Sequence, residues 1–404
     1  MAAGTTRDMS IRLALFFSAT FAVVGLHLPF FPVFLAYRGL DPETIGLVLA
    51  VPLLVRIFAA PAIAFTADRL DAHRSILILL CLLATLVFAL FGLANNLLTI
   101  LGIAVLYAMV WTSVIPMTES IATSAVRTSG IDYGKIRSWG SFAFIVASFV
   151  GGALVDWFGS AAAYWMILAS MALTLPAALM LPRPERSGTP SSRLSLGDAA
   201  RLVRSPVYLL LLLTVLLIQG AHALLYSFGT LHWHSIGISP SAIGLLWAIG
   251  TGAEIFTFSF AAWPLRKFGP LNLVLIGGAT GVLRWVLTSL DPPYAVLVAA
   301  QLLHALSFGA THLGALYLIS GAVPPRLNAT AQGVYSAVYG GIGIGGVIML
   351  SGPLYAALKG DAFLVMAGLS LAGLAAGALL KRRWDGKPII AEASVSPTNP
   401  VPAA

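Results

Sequence analysis

Twelve apolar stretches separated by short polar clusters run the length of the chain, at about 12–37, 43–66, 74–94, 97–122, 138–158, 161–181, 206–233, 240–264, 271–290, 293–320, 332–355 and 361–381. Each is long enough to cross roughly 30 Å of hydrocarbon at about 1.5 Å per helical residue. Backbone amides find no water in lipid, and segments of this length do not suit a barrel, so the pattern predicts helices. The longest polar stretch, from Pro182 to Ser205, is rich in Pro, Arg and Ser and divides the stretches six and six. The expectation is an all-α membrane protein of 12 transmembrane helices in two parallel six-helix repeats. Residues 1–181 form the first half, 182–205 a cytoplasmic linker, 206–381 the second half and 382–404 a disordered cytoplasmic tail.

The halves repeat in detail. Arg38-Gly39-Leu40-Asp41-Pro42-Glu43-Thr44-Ile45-Gly46-Leu47 matches Ile236-Gly237-Ile238-Ser239-Pro240-Ser241-Ala242-Ile243-Gly244-Leu245 at an offset of 198, each run joining the first and second helices of its half. Two such repeats joined by a linker predict a carrier that rocks about a midplane site at the repeat interface. The same offset sets Arg56 opposite Glu254 in sequence.

Composition narrows the class further. The 404 residues are 59% apolar and 9% charged, which excludes a soluble enzyme, a nucleic-acid-binding module and a disordered scaffold. Of the 23 Lys and Arg behind the net charge of +8, 19 fall on the side of the N-terminus and only Arg38 and Lys359 on the other, with Arg56 and Arg284 inside spans. Basic residues collect on the cytoplasmic face, so both termini are expected there in a multi-pass inner-membrane protein, and the basic balance gives no reason to expect nucleic acid. The single cysteine, Cys81, rules out a disulfide framework, and the first apolar run passes straight into the next without the form of a cleavable signal.

Five ionisable groups lie within the helices: Arg56, Glu119, Arg137, Glu254 and Arg284, with Glu119 and Arg137 near the cytoplasmic ends of theirs. Each costs at least about 2.5–3.5 kcal/mol at the bilayer centre, so such groups face a cavity and pair. Three cations and two carboxylates leave one positive charge over, which an anionic substrate could balance, and a guanidinium matches a carboxylate bidentately. Arg56 could face either the cavity or a neighbouring helix. His304 and His312 are eight residues apart, two turns of a helix, so both can face one cavity. His27 and His222 lie in the first helix of each half.

Other motifs point to packing. His232-Trp233-His234 lacks a third metal ligand and reads as an outer interfacial belt, so no metal is expected. Gly340, Gly341, Gly343, Gly345 and Gly346 sit in an apolar run, where small residues admit close helix packing. Pro29 and Pro32 bend the first helix. There is no Walker A sequence, catalytic triad or zinc motif, so the chain is read as neither an ATP-driven pump nor an enzyme, with no cofactor beyond a proton gradient as energy source.

Asp68-Arg69 followed by Arg74, echoed by Pro264, Arg266, Lys267 and Gly269, resembles the loop signature of the major facilitator superfamily. Gly25-Leu26-His27-Leu28-Pro29-Phe30-Phe31-Pro32, the spacing of Glu119 to Arg137, and Tyr133-Gly134-Lys135-Ile136-Arg137-Ser138-Trp139-Gly140 resemble the phenylpropionate permease family, itself similar to the lactose permease family. The resemblance implies that Glu119 and Arg137 form a substrate-binding charge pair and that Phe144 stands where a tryptophan stacks on a sugar ring. It implies cavity-lining roles for His27 and His222. It also aligns Glu254, Arg284 and His304 with the family's coupling groups, while Ser307 replaces the carboxylate that carries the proton there. Proton carriage then moves to Glu254, His304 or His312, or is absent.

These readings converge on a secondary transporter, expected to be monomeric, whose partners are the lipid bilayer, protons and a small organic anion such as a 3-phenylpropionate-like aromatic carboxylate. The alternatives are a proton-coupled sugar or nucleoside carrier, an exporter of amphipathic compounds, and a non-transporting assembly factor.

Overall fold

A computed structural model describes residues 3–181, 202 and 204–386, apart from the side chains of a few residues within helices. The expected linker and tail therefore lie almost wholly outside the described residues. The first half contains α1 (Thr6–Tyr37), α2 (Pro42–Ala67), α3 (His73–Gly92), α4 (Leu97–Val126), α5 (Tyr133–Phe158) and α6 (Ala162–Leu179). The second begins with α7 (Pro206–Ser235), α8 (Pro240–Ser259), α9 (Pro270–Ser289) and α10 (Tyr294–Ala322). An apolar helical stretch, Thr330–Arg383, completes it.

At 54 residues that last stretch would reach about 80 Å as one helix, far more than a bilayer. It breaks at the 3-10 turn Lys359–Asp361, where Lys359 has φ +49°. Leu327, Ala331 and Tyr335 before the turn share one buried cluster with Leu380 after it, so the chain reverses there. Helix α11 therefore covers 330–358 and α12 is Ala362–Arg383, giving twelve spans among the described residues.

The internal repeat is written into the backbone. Gly39 and Gly237 both turn through positive φ, +81° and +90°. Asp41 and Ser239, two residues later, each cap the following helix: the Thr44 N–H donates to Asp41 Oδ1 at 2.8 Å and the Ala242 N–H to Ser239 Oγ at 3.3 Å. Pro42 and Pro240 then occupy the first helical turn, where their missing N–H leaves no bond unmade. Asn96, Asp132 and Ser205 cap α4, α5 and α7 in the same manner.

Glycines hold the two halves together at the Arg38 end. A Cβ on Gly46 of α2 would sit 3.0 Å from Gly352 Cα of α11. On Gly152 of α5 it would overlap the Pro240 carbonyl and sit 3.1 Å from Gly244 Cα of α8. In lipid there is little hydrophobic drive between helices, so such close approach supplies the dispersion contact that joins them. A single buried cluster at this end runs from Phe31 and Phe88 in the first half to Phe228, Trp247 and Tyr355 in the second. At the opposite, basic end the clusters are separate: one around Phe16, Leu77 and Ile121, the other around Tyr208, Val274 and Leu318. The halves are thus joined at the Arg38 end and part toward the basic end.

The glycine run of α11 packs as expected in part. Gly341 lies against Ile57, Gly343 against Leu216 and Gly345 against Leu53, within a π-helical segment, Ala337–Gly345. A Cβ on Gly340 or Gly346 would meet nothing within 4 Å. The expected interfacial belt at His232–His234 needs correction. His232 and Trp233 are buried, and His232 Nε2 bonds Asp291 Oδ1 at 2.7 Å, because this turn of α7 faces the bundle. Only His234 is exposed.

Candidate functional site

In the first half, Glu119 of α4 meets Arg137 of α5, with Nε 3.3 Å from Oε1 and side chains 30% and 32% exposed. The Tyr133 hydroxyl donates to the other carboxylate oxygen, Oε2. The Arg137 guanidinium lies 4.0 Å from the centroid of the Phe21 ring on α1, a cation–π contact. Three helices thus hold one half-exposed charge pair.

In the second half, Glu254 of α8 places Oε2 3.3 Å from His304 Nε2 of α10, with the carboxylate side chain 24% exposed. On the far side of that imidazole, Arg284 of α9 is fully buried and donates from Nη1 to His304 Nδ1 at 2.9 Å and to Ser307 Oγ at 3.2 Å. Its Nη2 donates to Gln301 Oε1 at 3.0 Å, and its guanidinium lies 4.5 Å from the Trp285 ring centroid. Among the described residues no carboxylate touches Arg284: neutral groups hold its two Nη atoms, its Nε is buried and unbonded, and Glu254 lies beyond the imidazole. His222 of α7 joins from behind, with Nδ1 3.1 Å from the Ile218 carbonyl and Nε2 3.2 Å from Ser307 Oγ. A π-helical turn at Ala305–Ala310 interrupts α10 at this point. Such a turn rotates the helix face locally and recurs at functional sites.

His304, Phe308 and His312 form a stacked column, with centroid separations of 5.1 and 5.9 Å, so the two histidines do share a helix face. His312 Nδ1 is 2.7 Å from the Tyr335 hydroxyl of α11. Arg137 lies within electrostatic range of Glu254, which brings the two clusters toward one another from opposite halves.

The remaining candidates spread out. Arg56 is exposed on α2, near Tyr339 and without an acidic partner among the described residues. It does not meet Glu254, with which the repeat aligns it. Phe144 is only 7% exposed, and its backbone packs against Gly25 of α1, so little of its ring is open to a ligand in this conformation. His27 sits between the rings of Phe31 and Tyr107, with its Nε2 buried and unbonded. His222 has no exposed surface, so it belongs to the Arg284 network and does not line an open cavity here. Of the loop signature, Arg74 donates to the Leu179 and Leu181 carbonyls at 2.6 and 2.7 Å, while Arg69 and Arg266 are exposed. The Asp68 side chain lies outside the described residues.

Gln301 and Tyr133 escaped the sequence reading as site residues. An amide one turn before His304 was visible, but only the fold points it at Arg284. Tyr133 stood in a quoted motif without a partner.

The sequence profile of the MFS_1-like family matches residues 10–365. The chain belongs to this family, within the major facilitator superfamily. Its sequence is 32% identical over 366 residues to the probable 3-phenylpropionic acid transporter of Escherichia coli (strain K12), covering 89% of this chain and 94% of that one. It is 28% identical over 330 residues to the maltose permease of Geobacillus stearothermophilus, covering 81% and 83%. The fold is similar to that of the nucleoside transporter NupG, with a TM-score of 0.84 at 17% identity over 93% of this chain and 99% of that one. It is also similar to that of the D-xylose-proton symporter, with a TM-score of 0.69 at 14% identity over 96% and 98%. This MFS_1-like protein is therefore a multi-pass secondary transporter of small molecules and not an enzyme.

Proposed function

We propose that the chain is a proton-coupled symporter for a small aromatic carboxylate of the 3-phenylpropionate kind. It works as a monomer in the inner membrane of a bacterium, with both termini cytoplasmic and the proton gradient as its only energy source. The observation that carries this reading is the charge balance between the halves. Glu119 pairs with Arg137, Glu254 answers Arg284 through His304, and Arg56 is left over. A substrate carboxylate restores neutrality, engaging Arg137 and Arg56, while Glu119 orders Arg137 in the empty carrier and Phe144, with rotation of its helix, meets the ring. The similarity to the 3-phenylpropionic acid transporter supports the same substrate class. The excess of basic residues at the end where the halves part supports a cavity open to the cytoplasm.

The test is uptake of radiolabelled 3-phenylpropionate into proteoliposomes under an imposed proton gradient, with maltose, xylose and a nucleoside run beside it. Accumulation of the aromatic acid that collapses with a protonophore is the expected result. Its absence in both gradient directions would remove the substrate assignment.

A second reading, a sugar or nucleoside carrier, draws on the closed Glu119–Arg137 pair, whose exposed edges offer both acceptor and donor to a hydroxyl-rich ligand, and on the similarity to the maltose permease. Uptake of maltose or a nucleoside, with none of the acid, would favour it.

A further inference from the structure

The hydrogen bonds that Arg284 itself makes can run in one direction only. A guanidinium is all donor and offers no acceptor. His304 Nδ1, 2.9 Å from Arg284 Nη1, must therefore be the unprotonated nitrogen, which places the imidazole proton on Nε2, facing Glu254. In the other branch Ser307 Oγ accepts from Arg284 Nη1 and lies 3.2 Å from His222 Nε2, a contact that a hydroxyl can make as donor or as acceptor. His222 Nδ1 faces the Ile218 carbonyl, which can only accept, and so carries that ring's proton. The His304 imidazole is thus neutral, and it cannot take a second proton without losing its bond to Arg284.

The geometry points to a tautomer lock: Arg284, itself positioned by Gln301, keeps His304 as the neutral Nε2–H imidazole, and the coupling proton is exchanged at Glu254. This rests on the proton-coupled reading above and assigns its carrier. The step is one proton from the aqueous cavity onto a Glu254 carboxylate oxygen, giving the neutral acid. The His304 Nε2 still lies 3.3 Å from Oε2, so the network around Arg284 keeps its shape while the pocket gains one positive charge. The buried guanidinium then lacks its indirect counter-charge, which favours arrival of an anion. His304 is in contact with Glu254; His312, Tyr226 and Tyr339 from the second half and Arg137 from the first lie within its electrostatic reach, and Arg284 is behind His304. His312 is the competing proton site, because its bond to the Tyr335 hydroxyl has no forced direction. Gln301 and Arg284 act as positioning residues: neither needs to touch substrate.

Two substrate-free measurements on the full-length protein decide the proposal. Nitrogen NMR of histidine-labelled protein in nanodiscs, with H304Q used to assign the signal, is expected to keep one protonated nitrogen at His304, Nε2, from about pH 5 to about pH 8, the range in which a free imidazole titrates. In Q301A the lock loosens, and an imidazolium signal should emerge at the acid end. Infrared difference spectra over the same range should contain a carboxylic-acid carbonyl band that titrates in the wild type and is missing from E254Q. An imidazolium signal at His304 in the wild type, or a titrating band that survives E254Q, would overturn the proposal. A titrating His312 with no change at Glu254 would do the same. Because neither measurement needs substrate, failure of the aromatic-acid assignment leaves both readable. In gradient-driven uptake, E254Q should lose pH dependence, whereas H304Q, whose amide can accept from Arg284 and donate to Glu254, should transport several-fold more slowly with the pH midpoint unmoved.

Discussion

Gly152 and Gly244 cross so closely that a Cβ on either would overlap a backbone carbonyl of the opposite helix, Pro240 or Ser148. This contact and that of Gly46 with Gly352 are where the backbones of the two halves come closest to touching at the Arg38 end, beside the buried cluster they share. Backbone atoms cannot rotate out of the way as a side-chain tip can, so a larger residue has to push α5 and α8 apart. Gly152→Val is therefore expected to shift the carrier toward a state open at the Arg38 end. Spin labels at Asn95→Cys and Lys359→Cys, one in each half, should report a distance longer by several ångströms, with Cys81 buried and out of reach. An unchanged distance distribution would show that the crossing does not set the state.

Arg137 and Glu119 make opposite predictions. If the substrate carboxylate competes with Glu119 for the guanidinium, Arg137→Ala should weaken binding of 3-phenylpropionate at least about tenfold, or about 1.4 kcal/mol. Glu119→Gln should leave binding intact or tighten it. Isothermal titration of both variants separates this from a role for Glu119 as a direct ligand of hydroxyls, in which both substitutions weaken binding.

Arg74 braces the start of α3 against the end of α6 through two short bonds to the Leu179 and Leu181 carbonyls. Charge-assisted bonds of this sort contribute about 1.5–3 kcal/mol when shielded, and less at a half-exposed site. Arg74→Ala is expected to lower the detergent-solubilised melting temperature by a few degrees while leaving substrate affinity unaltered. A melting temperature equal to wild type would mean that the brace forms only in other states of the cycle.

Asp41 lies in the loop before α2, where the Thr44 N–H holds its carboxyl below the usual carboxylate range. A carboxyl lowered by folding adds stability above its unfolded value, about 3.9, and that contribution is lost as pH falls through the folded value. Asp41→Asn keeps a neutral cap and removes this step. Thermal melts in the acid range should show wild type losing more stability than the variant as pH drops below about 4, and parallel curves would count against the cap.

Much of the fold was legible because lipid imposes it. Segment length, the 198-residue offset and the capping pairs Asp41 and Ser239 each act through local backbone physics, and the helices begin where those caps stand. The reversal at Lys359–Asp361 followed from the same constraint, since one bilayer has no room for 54 helical residues. The site was legible only as a set of costly residue types. Arg137 found Glu119 as the family pattern implied. Arg56 did not find Glu254, because equal positions in two repeats are related by symmetry and need not touch. Phe144 was read as a ring platform, yet its helix face packs on Gly25 in this state.

The amino-acid sequence alone determined that this chain crosses a membrane twelve times in two similar halves, because a backbone in lipid must satisfy its own hydrogen bonds and a buried charge is too costly to be incidental. Only the tertiary structure decided which charges meet, that Gln301 and Ser307 accept from the Arg284 guanidinium, and which nitrogen of His304 faces it. Those outcomes depend on distances between helices that are remote in the chain, and hydrogen-bond direction exists only once donor and acceptor are face to face.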